Sequence, residues 1–479
     1  MSGSAGTQGQ RIVVNDIHSK LNASAVAEIV PVDSLAALQA AVLGARARGL
    51  PICVSGGWHA MGGQQFCDGG ALLDTRPLDR VLRFDRAAGT IEVEAGIQWP
   101  ALLGYLQREQ AGSAPLVWGI AQKQSGADRL SIGGAVSANA HGRGLAMQPI
   151  VGDVEEFTLV GSSGELRRCS RSENAELFGL VAGGYGLFGV LYSVTLRLVP
   201  LRKLERVVEV RTLDGVIDAF DSRIAAGFLY GDFQFAVDPA SPGFLREGVF
   251  SCYRPVADDT PIPDGQRRLA PDDWRRLLYL AHVDKARAFE QYCTHYLATS
   301  GQIYLSDAHQ FAYYIDDYHE WLDGLLHAEH PATEMIGELY VPRPRLTDFM
   351  AAVADDFREK GVDVIYGTVR LIERDEDSFL PWAKDRYACV IFNVHTEHTP
   401  EGIEHTAEGF RRLIDLASER GGSYFLTYHR WARRDQIETC YPQIREFLAL
   451  KRRHDPDQVF QSDWYQALGK TLGVDDGAR

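Results

Sequence analysis

The feature that most constrains the fold of this chain is a glycine-rich loop that directly follows a short apolar run. The run PICVS (51–55) predicts a buried strand, and the loop SGGWHAMGG (55–63) continues from it. A helix is predicted before this strand, starting at the N-cap Ser34, because apolar residues recur there at helical spacing. With the run AEIVPV (27–32) in front, the pattern predicts a strand–helix–strand unit. Such units bind ligands at the carboxyl ends of their strands, where this loop begins.

Two further glycine-rich segments belong to the same predicted α/β module. The first is SGADRLSIGGAVSANAHGRG (125–144). The second, GYGLFG (184–189), matches the G-x-G-x-x-G pattern, in which a strand precedes the turn and the following helix directs its N-terminus at a pyrophosphate. Here a helix is predicted before the turn and a strand after it. The order therefore argues against a Rossmann site of the NAD type.

Three loops of small residues in one module predict an extended cofactor that carries a diphosphate. Glycine has no Cβ, so main-chain N–H groups can approach phosphate oxygens closely. The sequence contains no Walker A, G-x-S-x-G or H-E-x-x-H motif. The residues alone therefore predict a two-domain enzyme that binds a large cofactor.

Size and composition set further limits. A chain of 479 residues is too long for one core, which predicts two or three domains. The net charge of −15 disfavours nucleic acid and anionic membranes as partners. No apolar run approaches the roughly 18 residues of a membrane-spanning helix, so no membrane span is expected. Seven scattered cysteines without a C-x-x-C pair predict free thiols in a cytoplasmic protein and no metal site.

Four motifs occur in an order that resembles the vanillyl-alcohol-oxidase/p-cresol-methylhydroxylase superfamily of FAD enzymes. They are VSGGWHAMGG, VEAGIQW, SIGGAVSANAHGRG and GYGLFGVLYSVTLRLVP, and the C-terminal KRRHDPDQVFQ is similar to that superfamily's closing segment. Within the superfamily, HAMGGQ resembles the cytokinin dehydrogenases, and His141–Gly142 resembles the alditol and aldonolactone oxidases. The motifs do not choose between these subfamilies.

The resemblance implies an α+β protein with a two-domain PCMH-type FAD-binding fold. Residues 20–204 would form the FAD-binding domain, and residues 205–439 a mixed-sheet substrate-binding (cap) domain. Glycine thins and aromatic residues increase from about residue 204, which agrees with that division. Residues 440–479 would form a C-terminal segment that returns to the FAD domain.

The resemblance also implies which residues hold FAD. In chain order they are Ser55, Gly56, Gly57, Trp58, His59, Ala60, Met61, Gly62, Ser125, Gly126, Ile132, Gly133, Gly134, Ser137, Asn139, His141, Gly142, Gly189, Val190 and Lys451. Val190 would contact the adenine side through its backbone. His141 is expected near the pyrophosphate or ribose, or as a packed turn residue. Lys451 would stabilise negative charge on the reduced flavin, or would lie as a solvated charge at a helix end.

His59 occupies the place at which many members of the superfamily bond the flavin 8α-methyl covalently. Trp58 and Ala60 stand where relatives usually have glycine before this histidine and serine after it. The alternative is a histidine that only hydrogen-bonds the cofactor. The segment 125–144 contains no cysteine, so a second link that would make FAD bicovalent is not expected.

Strands predicted in the second domain place candidate catalytic side chains on common faces. Residues two apart on a strand share a face, which groups Arg370 with Tyr366 in VIYGTVRLIE and Asn393 with His395 in YACVIFNVHT. The run SYFLTYHRW is predicted as a further strand with Tyr428 and His429 on opposite faces. By similarity to alditol-oxidase-like relatives, the expected catalytic residues are Arg370, Asn393, His395, Tyr428 and His429. A core or surface role is the alternative for each.

The function that the resemblance implies is an FAD-dependent oxidase or dehydrogenase. A small to medium polar substrate would lose hydride from a CH–OH or CH–NH group to flavin N5, and oxygen or another acceptor would then take the electrons. Two alternatives stay open: a non-covalent FAD reductase or dehydrogenase of the sterol-reductase kind, and a flavin-binding scaffold without catalysis. The expected partners are thus a small-molecule substrate and an electron acceptor, with no nucleic acid.

Overall fold

The computed structural model of the chain describes residues 11–112, 117–310, 315 and 317–474. Its elements confirm an α+β protein. Up to residue 200 the strands are β1 (Ile12–Val14), β2 (Ser24–Val26), β3 (Glu28–Pro31), β4 (Ile52–Ser55), β5 (Ala71–Asp74), β6 (Val81–Asp85), β7 (Thr90–Glu94), β8 (Trp118–Ile120), β9 (Val154–Val160), β10 (Leu166–Ser170) and β11 (Val190–Pro200). The helices of this part are α1 (Leu35–Ala47), α2 (Trp99–Glu109), α3 (Ile132–Ala138) and α4 (Ala175–Val181).

The predicted strand–helix–strand unit is present. Strands β3 and β4 both pair with β5 in a parallel three-stranded sheet, in the order β3-β5-β4. The Ser34 side chain accepts a hydrogen bond from the Ala37 amide and so caps α1, as expected. Helix α1 buries Leu38 and Val42 against this sheet, because its apolar residues lie on one face. The unit therefore holds the end of β4, and the glycine loop after it, in a fixed place.

A second sheet in this part of the chain is antiparallel and has the order β10-β9-β11-β7-β6, with β8 also paired to β11. The turn 184–189 lies between α4 and β11. This is the order inferred from the sequence, with the helix before the glycines and the strand after them.

The rest of the chain builds a large sheet. Its strands are β12 (Lys203–Thr212), β13 (Tyr230–Phe235), β14 (Glu247–Pro255), β15 (Ile303–Leu305), β16 (Ala332–Pro342), β17 (Val364–Ile372), β18 (Tyr387–Glu397) and β19 (Ser423–Tyr424). The helices between them are α5 (Val216–Ala225), α6 (Pro271–Val283), α7 (Lys285–Leu297), α8 (Tyr318–Leu326), α9 (Leu346–Lys360) and α10 (Pro400–Ser418). The order across the sheet is β15-β12-β14-β13-β17-β18-β16-β19.

Two expectations about this sheet are wrong. We expected a mixed sheet, but every strand pair that the structure describes in it is antiparallel. The reason is that β18 inserts between β16 and β17 and runs opposite to both, so these two parallel strands never pair. The run 423–431 is not one long strand, because β19 ends at Tyr424 and a turn follows. Period-2 alternation therefore does not govern Tyr428 and His429.

The chain ends in three helices, α11 (Arg434–Cys440), α12 (Ile444–His454) and α13 (Asp463–Leu472). The segment between α12 and α13 lies beside β4. The Ile52 amide donates to the Val459 carbonyl, and the Gln461 amide donates to the Ile52 carbonyl. The Asp463 amide donates to Phe66, at the far side of the glycine loop. Within the described part of the chain, no helix combines the length and apolar character needed to cross a bilayer.

Candidate functional site

The glycine loop lies against the second glycine-rich segment. A Cβ added to Gly56 would stand 2.0 Å from the Ser131 Oγ, and one added to Gly57 would stand 2.4 Å from the Arg129 carbonyl oxygen. Real Cβ atoms do not approach other atoms so closely, so both positions require glycine. The first reason for these glycines is therefore contact between two protein segments, and that contact sets the shape of the space beside them.

Trp58 continues this strained geometry. It adopts a φ of 64°, in the left-handed region that non-glycine residues rarely occupy. Its ring packs edge-on to Phe66 at 5.6 Å, and the Arg76 guanidinium lies 5.3 Å from its centre. These contacts hold the Trp58 ring and with it the backbone just before His59.

The second glycine-rich segment contains an N-capped helix. The Ser131 Oγ accepts from the Gly134 amide, and α3 runs only from Ile132 to Ala138 before Asn139 ends it in a left-handed conformation. The Asn139 side chain donates to Asp375, and its carbonyl accepts from the Trp382 indole. Asn139 thus connects this segment to the loop between β17 and β18 of the large sheet.

The three loops line one cavity of about 140 Å³, which we call the loop cavity. Ten predicted cofactor residues line it: Gly56, Gly57, Trp58, His59, Ala60, Gly133, Gly134, Ser137, Gly189 and Val190. The cavity is therefore built from all three segments that the sequence analysis singled out.

A second cavity of about 370 Å³, the main cavity, shares the walls His59, Leu130, Gly134, Ala138 and Thr427 with the loop cavity. It extends toward the large sheet. Four more of the predicted cofactor residues line it: Met61, Ser125, Gly126 and His141. Of the predicted catalytic residues, Arg370, Asn393 and Tyr428 line it as well. The loop cavity and the main cavity therefore meet at His59.

The remaining predicted residues are not among the described residues that line either cavity. They are Ser55, Gly62, Ile132, Asn139, Gly142, Lys451, His395 and His429. Lys451 is fully buried, with its Nζ 2.5 Å from the Asp455 Oδ2, so it is neither a solvated charge nor part of a cavity wall. His429 stacks on Phe410 and Trp431 at ring distances of 4.7 and 5.2 Å, and burial lowers its pKa to about 3.

His59 pairs with a residue that the sequence did not single out. Its Nδ1 lies 2.6 Å from the Nε2 of His18. Burial lowers the pKa of His59 to about 3, helped by His18, and burial lowers the pKa of His18 to about 4. Both rings are therefore neutral at neutral pH, and an N–H of one ring donates a hydrogen bond to the ring nitrogen of the other. A neutral imidazole is the form that acts as a nucleophile or as a hydrogen-bond acceptor.

A buried carboxylate lies at the centre of the main cavity's polar wall. The Glu338 Oε1 is 2.5 Å from the His141 Nε2, and the Tyr428 hydroxyl donates to the Glu338 Oε2 at 3.5 Å. Burial, with Glu338 adding to it, raises the pKa of Tyr428 far above its usual range, so the phenol stays protonated. His141 therefore contacts a buried carboxyl group in the wall of the main cavity.

Sequence reasoning missed Glu338, although the sequence carries a signal for it. Glu338 is a single carboxylate inside the apolar run MIGELYVP, and a charge on a buried strand needs a partner or a function. The same holds for Asp232 on β13, whose carboxylate lies 3.5 Å from the Arg143 guanidinium in the wall of the main cavity. Motif matching finds none of the three, because each lies outside the glycine-rich motifs or at their edge.

The walls of the main cavity suit a polar ligand. The Ser125 Oγ, the Gln124 Nε2 and the Arg370 Nε are buried and have no hydrogen-bond partner in the described part of the chain. Buried polar groups are normally satisfied, so unpaired groups in a cavity wall indicate a ligand that completes them. The residues present therefore fit a cofactor and a substrate that both offer hydrogen-bonding atoms.

A third cavity of about 290 Å³, the apolar cavity, adjoins the main cavity. The two share Gly126, Gln234, Tyr366, Glu334 and Asn393 among their walls. Glu334 accepts hydrogen bonds there from His282, from His395 and from the Tyr318 hydroxyl. Although burial alone would raise it, these bonds hold the pKa of Glu334 well below its usual range.

Comparison with known proteins shows which class of protein this chain is similar to. A family model described as an FAD binding domain matches residues 26–170. An L-gulono-1,4-lactone dehydrogenase of Mycobacterium tuberculosis is 25% identical over 401 residues, which covers 83% of this chain and 86% of the relative. An L-gulonolactone oxidase of Bos taurus is 29% identical over 38% of this chain and 39% of its own length. Cytokinin dehydrogenase 7 of Oryza sativa is 30% identical over 34% of this chain and 31% of its own length.

The matched domain spans the glycine loop and the second glycine-rich segment, so the chain binds FAD and is an FAD-dependent oxidoreductase. The resemblance inferred from the motifs is confirmed: the chain contains a PCMH-type FAD-binding domain and is similar to lactone oxidases and dehydrogenases and to cytokinin dehydrogenases.

Proposed function

We propose that the enzyme oxidises a CH–OH or CH–NH group of a small to medium polar substrate held in the main cavity. The observation that carries the proposal is the convergence of His141, Glu338, Tyr428 and Arg370 on a cavity that starts at His59 of the cofactor loop. Bound FAD would accept the hydride. The loop-cavity residues would hold its nucleotide portion, and the main cavity would take the flavin ring together with the substrate.

The substrate proton has a route through the residues of the wall. Tyr428 is protonated and its hydroxyl faces the Glu338 Oε2, so it can take a proton from a substrate hydroxyl while it passes its own to the carboxylate. The His141 Nδ1 lies 3.0 Å from the Gly142 carbonyl, which can only accept, so this nitrogen carries a proton. The His141 Nε2 lies 2.5 Å from the Glu338 Oε1, so one proton lies between these two atoms, and this hydrogen bond fixes the carboxyl group in place.

Two buried cations give the cavity its preference for polar substrates. Arg143 and Arg370 both line it, and each has a buried Nε without a partner among the residues that the structure describes. Guanidinium groups donate in a fixed planar arrangement, which suits hydroxyl and carbonyl oxygens of an oriented substrate. The names of relatives that act on gulonolactones support a hydroxyl-bearing substrate.

We also propose that His59 forms the covalent bond to the flavin 8α-methyl. The neutral ring that burial produces supports this, because only the neutral imidazole has a free electron pair to form the bond. His18 lies in position to accept the proton that the Nδ1 would release. The alternative is that the pair only hydrogen-bonds the cofactor.

The first experiment is a substrate panel. The purified yellow protein is mixed anaerobically with polyols, sugar lactones, aldoses and amines, and loss of flavin absorbance near 450 nm, roughly where oxidised flavins absorb, identifies a substrate. Hydrogen peroxide release against reduction of a dye then decides between oxygen and another acceptor. A Glu338→Gln variant that keeps its flavin and reduces it at the wild-type rate would refute the proton route.

The domain division stays part of this proposal, with residues 20–204 as the FAD-binding domain, 205–439 as the substrate-binding domain and 440–479 as the returning segment. The separate sheets on either side of residue 200 and the hydrogen bonds between Ile52 and the 459–461 segment support it. A cytoplasmic location is likewise proposed, supported by seven cysteines that are all free thiols.

A further inference from the structure

A cluster of two histidines around a carboxylate lies where the main and apolar cavities meet. Glu334 on β16 is the direct cross-strand partner of His395 on β18. His282, near the end of α6, reaches the same carboxylate from above the sheet. The Glu334 Oε1 lies 2.9 Å from the His282 Nε2 and 3.5 Å from the His395 Nδ1. One ligand atom from each residue lies within 4.8 Å of the other two.

The hydrogen bonds of His282 aim its Nε2 into this cluster. Its Nδ1 is 2.9 Å from the Leu278 carbonyl, which can only accept, so the Nδ1 carries a proton. The Nε2 faces the Glu334 Oε1 at 2.9 Å, and the hydrogen bond between these two atoms occupies the place that a bound cation would take. A histidine that donates its other N–H to a backbone carbonyl is also the usual arrangement of a metal ligand.

A fourth side chain adds an independent observation. His319 is 4% exposed, its Nδ1 lies 4.0 Å from the Glu334 Oε2, and neither of its ring nitrogens has a hydrogen-bond partner within the described ranges. An unpaired buried imidazole is costly unless something completes it. Its position beside the carboxylate places a further ring nitrogen next to whatever the cluster binds.

Two of the three distances between ligand atoms are close to those around a tetrahedral ion. Zinc bonded to nitrogen and oxygen at about 2.0–2.2 Å sets its ligands roughly 3.3–3.5 Å apart. The His395–Glu334 distance of 3.5 Å already has this value, and the His282–Glu334 distance of 2.9 Å needs a shift of a few tenths of an ångström. Glu334 also lines both cavities, so an ion bound to it would lie at the border between the main and the apolar cavity.

We propose that His282, Glu334 and His395 bind a divalent transition-metal ion of the zinc class, with an open coordination position toward the main cavity. This proposal concerns binding of the ion and does not depend on the reaction assigned above. An ion there would place a Lewis acid beside the main cavity, where it could hold an oxygen atom of a ligand.

The test is metal binding by the intact flavoprotein, free of affinity tags. The protein is dialysed against a chelator, desalted, and titrated with Zn²⁺ by calorimetry, and the bound ion is counted by mass spectrometry after a second desalting. Wild type is expected to bind about one ion. Glu334→Gln and His395→Ala are expected to weaken binding at least about 100-fold, since loss of a mere outer-shell partner costs about 10–100-fold.

His454→Ala is the matched control. His454 also pairs with a carboxylate, 2.7 Å from the Glu176 Oε1, but without a second histidine. It is expected to bind Zn²⁺ as wild type does. Each variant's flavin content and circular dichroism report folding, and His282→Gln replaces any variant that does not fold. A wild type without saturable Zn²⁺ binding, or a folded Glu334→Gln or His282→Gln that binds it as tightly as wild type, overturns the proposal.

Discussion

Replacement of Gly57 by alanine tests whether the contact between the two glycine-rich segments shapes the FAD site. The new Cβ would stand 2.4 Å from the Arg129 carbonyl oxygen and 3.2 Å from the Leu130 Cα. Both are backbone atoms, so no side chain can rotate away and the loop itself must move. Overpacking of this kind costs about 1–3 kcal/mol, and the rigid neighbours place Gly57→Ala in the upper part of that range. A cost of about 2–3 kcal/mol that falls on the FAD-binding conformation weakens FAD about 30- to 150-fold.

The assay is an FAD titration of apoprotein by quenching of flavin fluorescence. The titration uses a His59→Ala background, in which no covalent bond to the flavin can form. The His59 ring is then absent, so the Cβ added at position 57 meets only the backbone atoms of Arg129 and Leu130. Gly44→Ala in helix α1 is the control, because a Cβ there meets nothing within 4 Å. It should leave FAD affinity unchanged and stabilise the helix slightly. If Gly57→Ala binds FAD with the control's affinity and unfolds at the control's temperature, the contact does not shape the site.

Three further outcomes follow from the site. His59→Ala should abolish the fluorescent flavin band on a denaturing gel. In wild type, covalent attachment of the flavin needs the neutral ring, so it should be lost only as the pH falls toward the His59 pKa of about 3. A rate of flavin attachment that halves near pH 6.5 would contradict the burial argument. Glu338→Gln should lower the rate of flavin reduction about 10²- to 10⁴-fold with flavin content unchanged, and Tyr428→Phe should also lower it, both measured by stopped flow. Lys451→Met should lower the free energy of unfolding by about 3 kcal/mol, because the buried Asp455 carboxylate loses its counter-ion and keeps only the hydrogen bonds from the Val459 and Phe460 amides. The flavin spectrum should stay as in wild type; a shifted spectrum with unchanged stability would instead place Lys451 at the flavin.

Several local predictions match the structure. The strand before the glycine loop, the cap at Ser34 and the helix-before-strand order around residues 184–189 are all present. Each depends on residues within about ten positions of one another, where helix and strand periods and capping preferences act directly. The prediction failed at 423–431, where alternation continues in the sequence but the chain turns after Tyr424. There the packing of the chain after β19 overrides a local strand preference.

The sequence by itself determined that three loops of small residues belong to one nucleotide-binding module, because glycine patterns and strand order are local and carry their own physical meaning. Only the tertiary structure decided which side chains meet. His18 reaches His59 across 41 positions, His141 reaches Glu338 across 197, and Glu334 gathers histidines from a helix and a neighbouring strand. Nothing in a local pattern marks such pairs, since the sheet order that joins them is set by packing of the whole chain. Burial in that packing then keeps the His18 and His59 rings neutral, because it lowers the pKa of both.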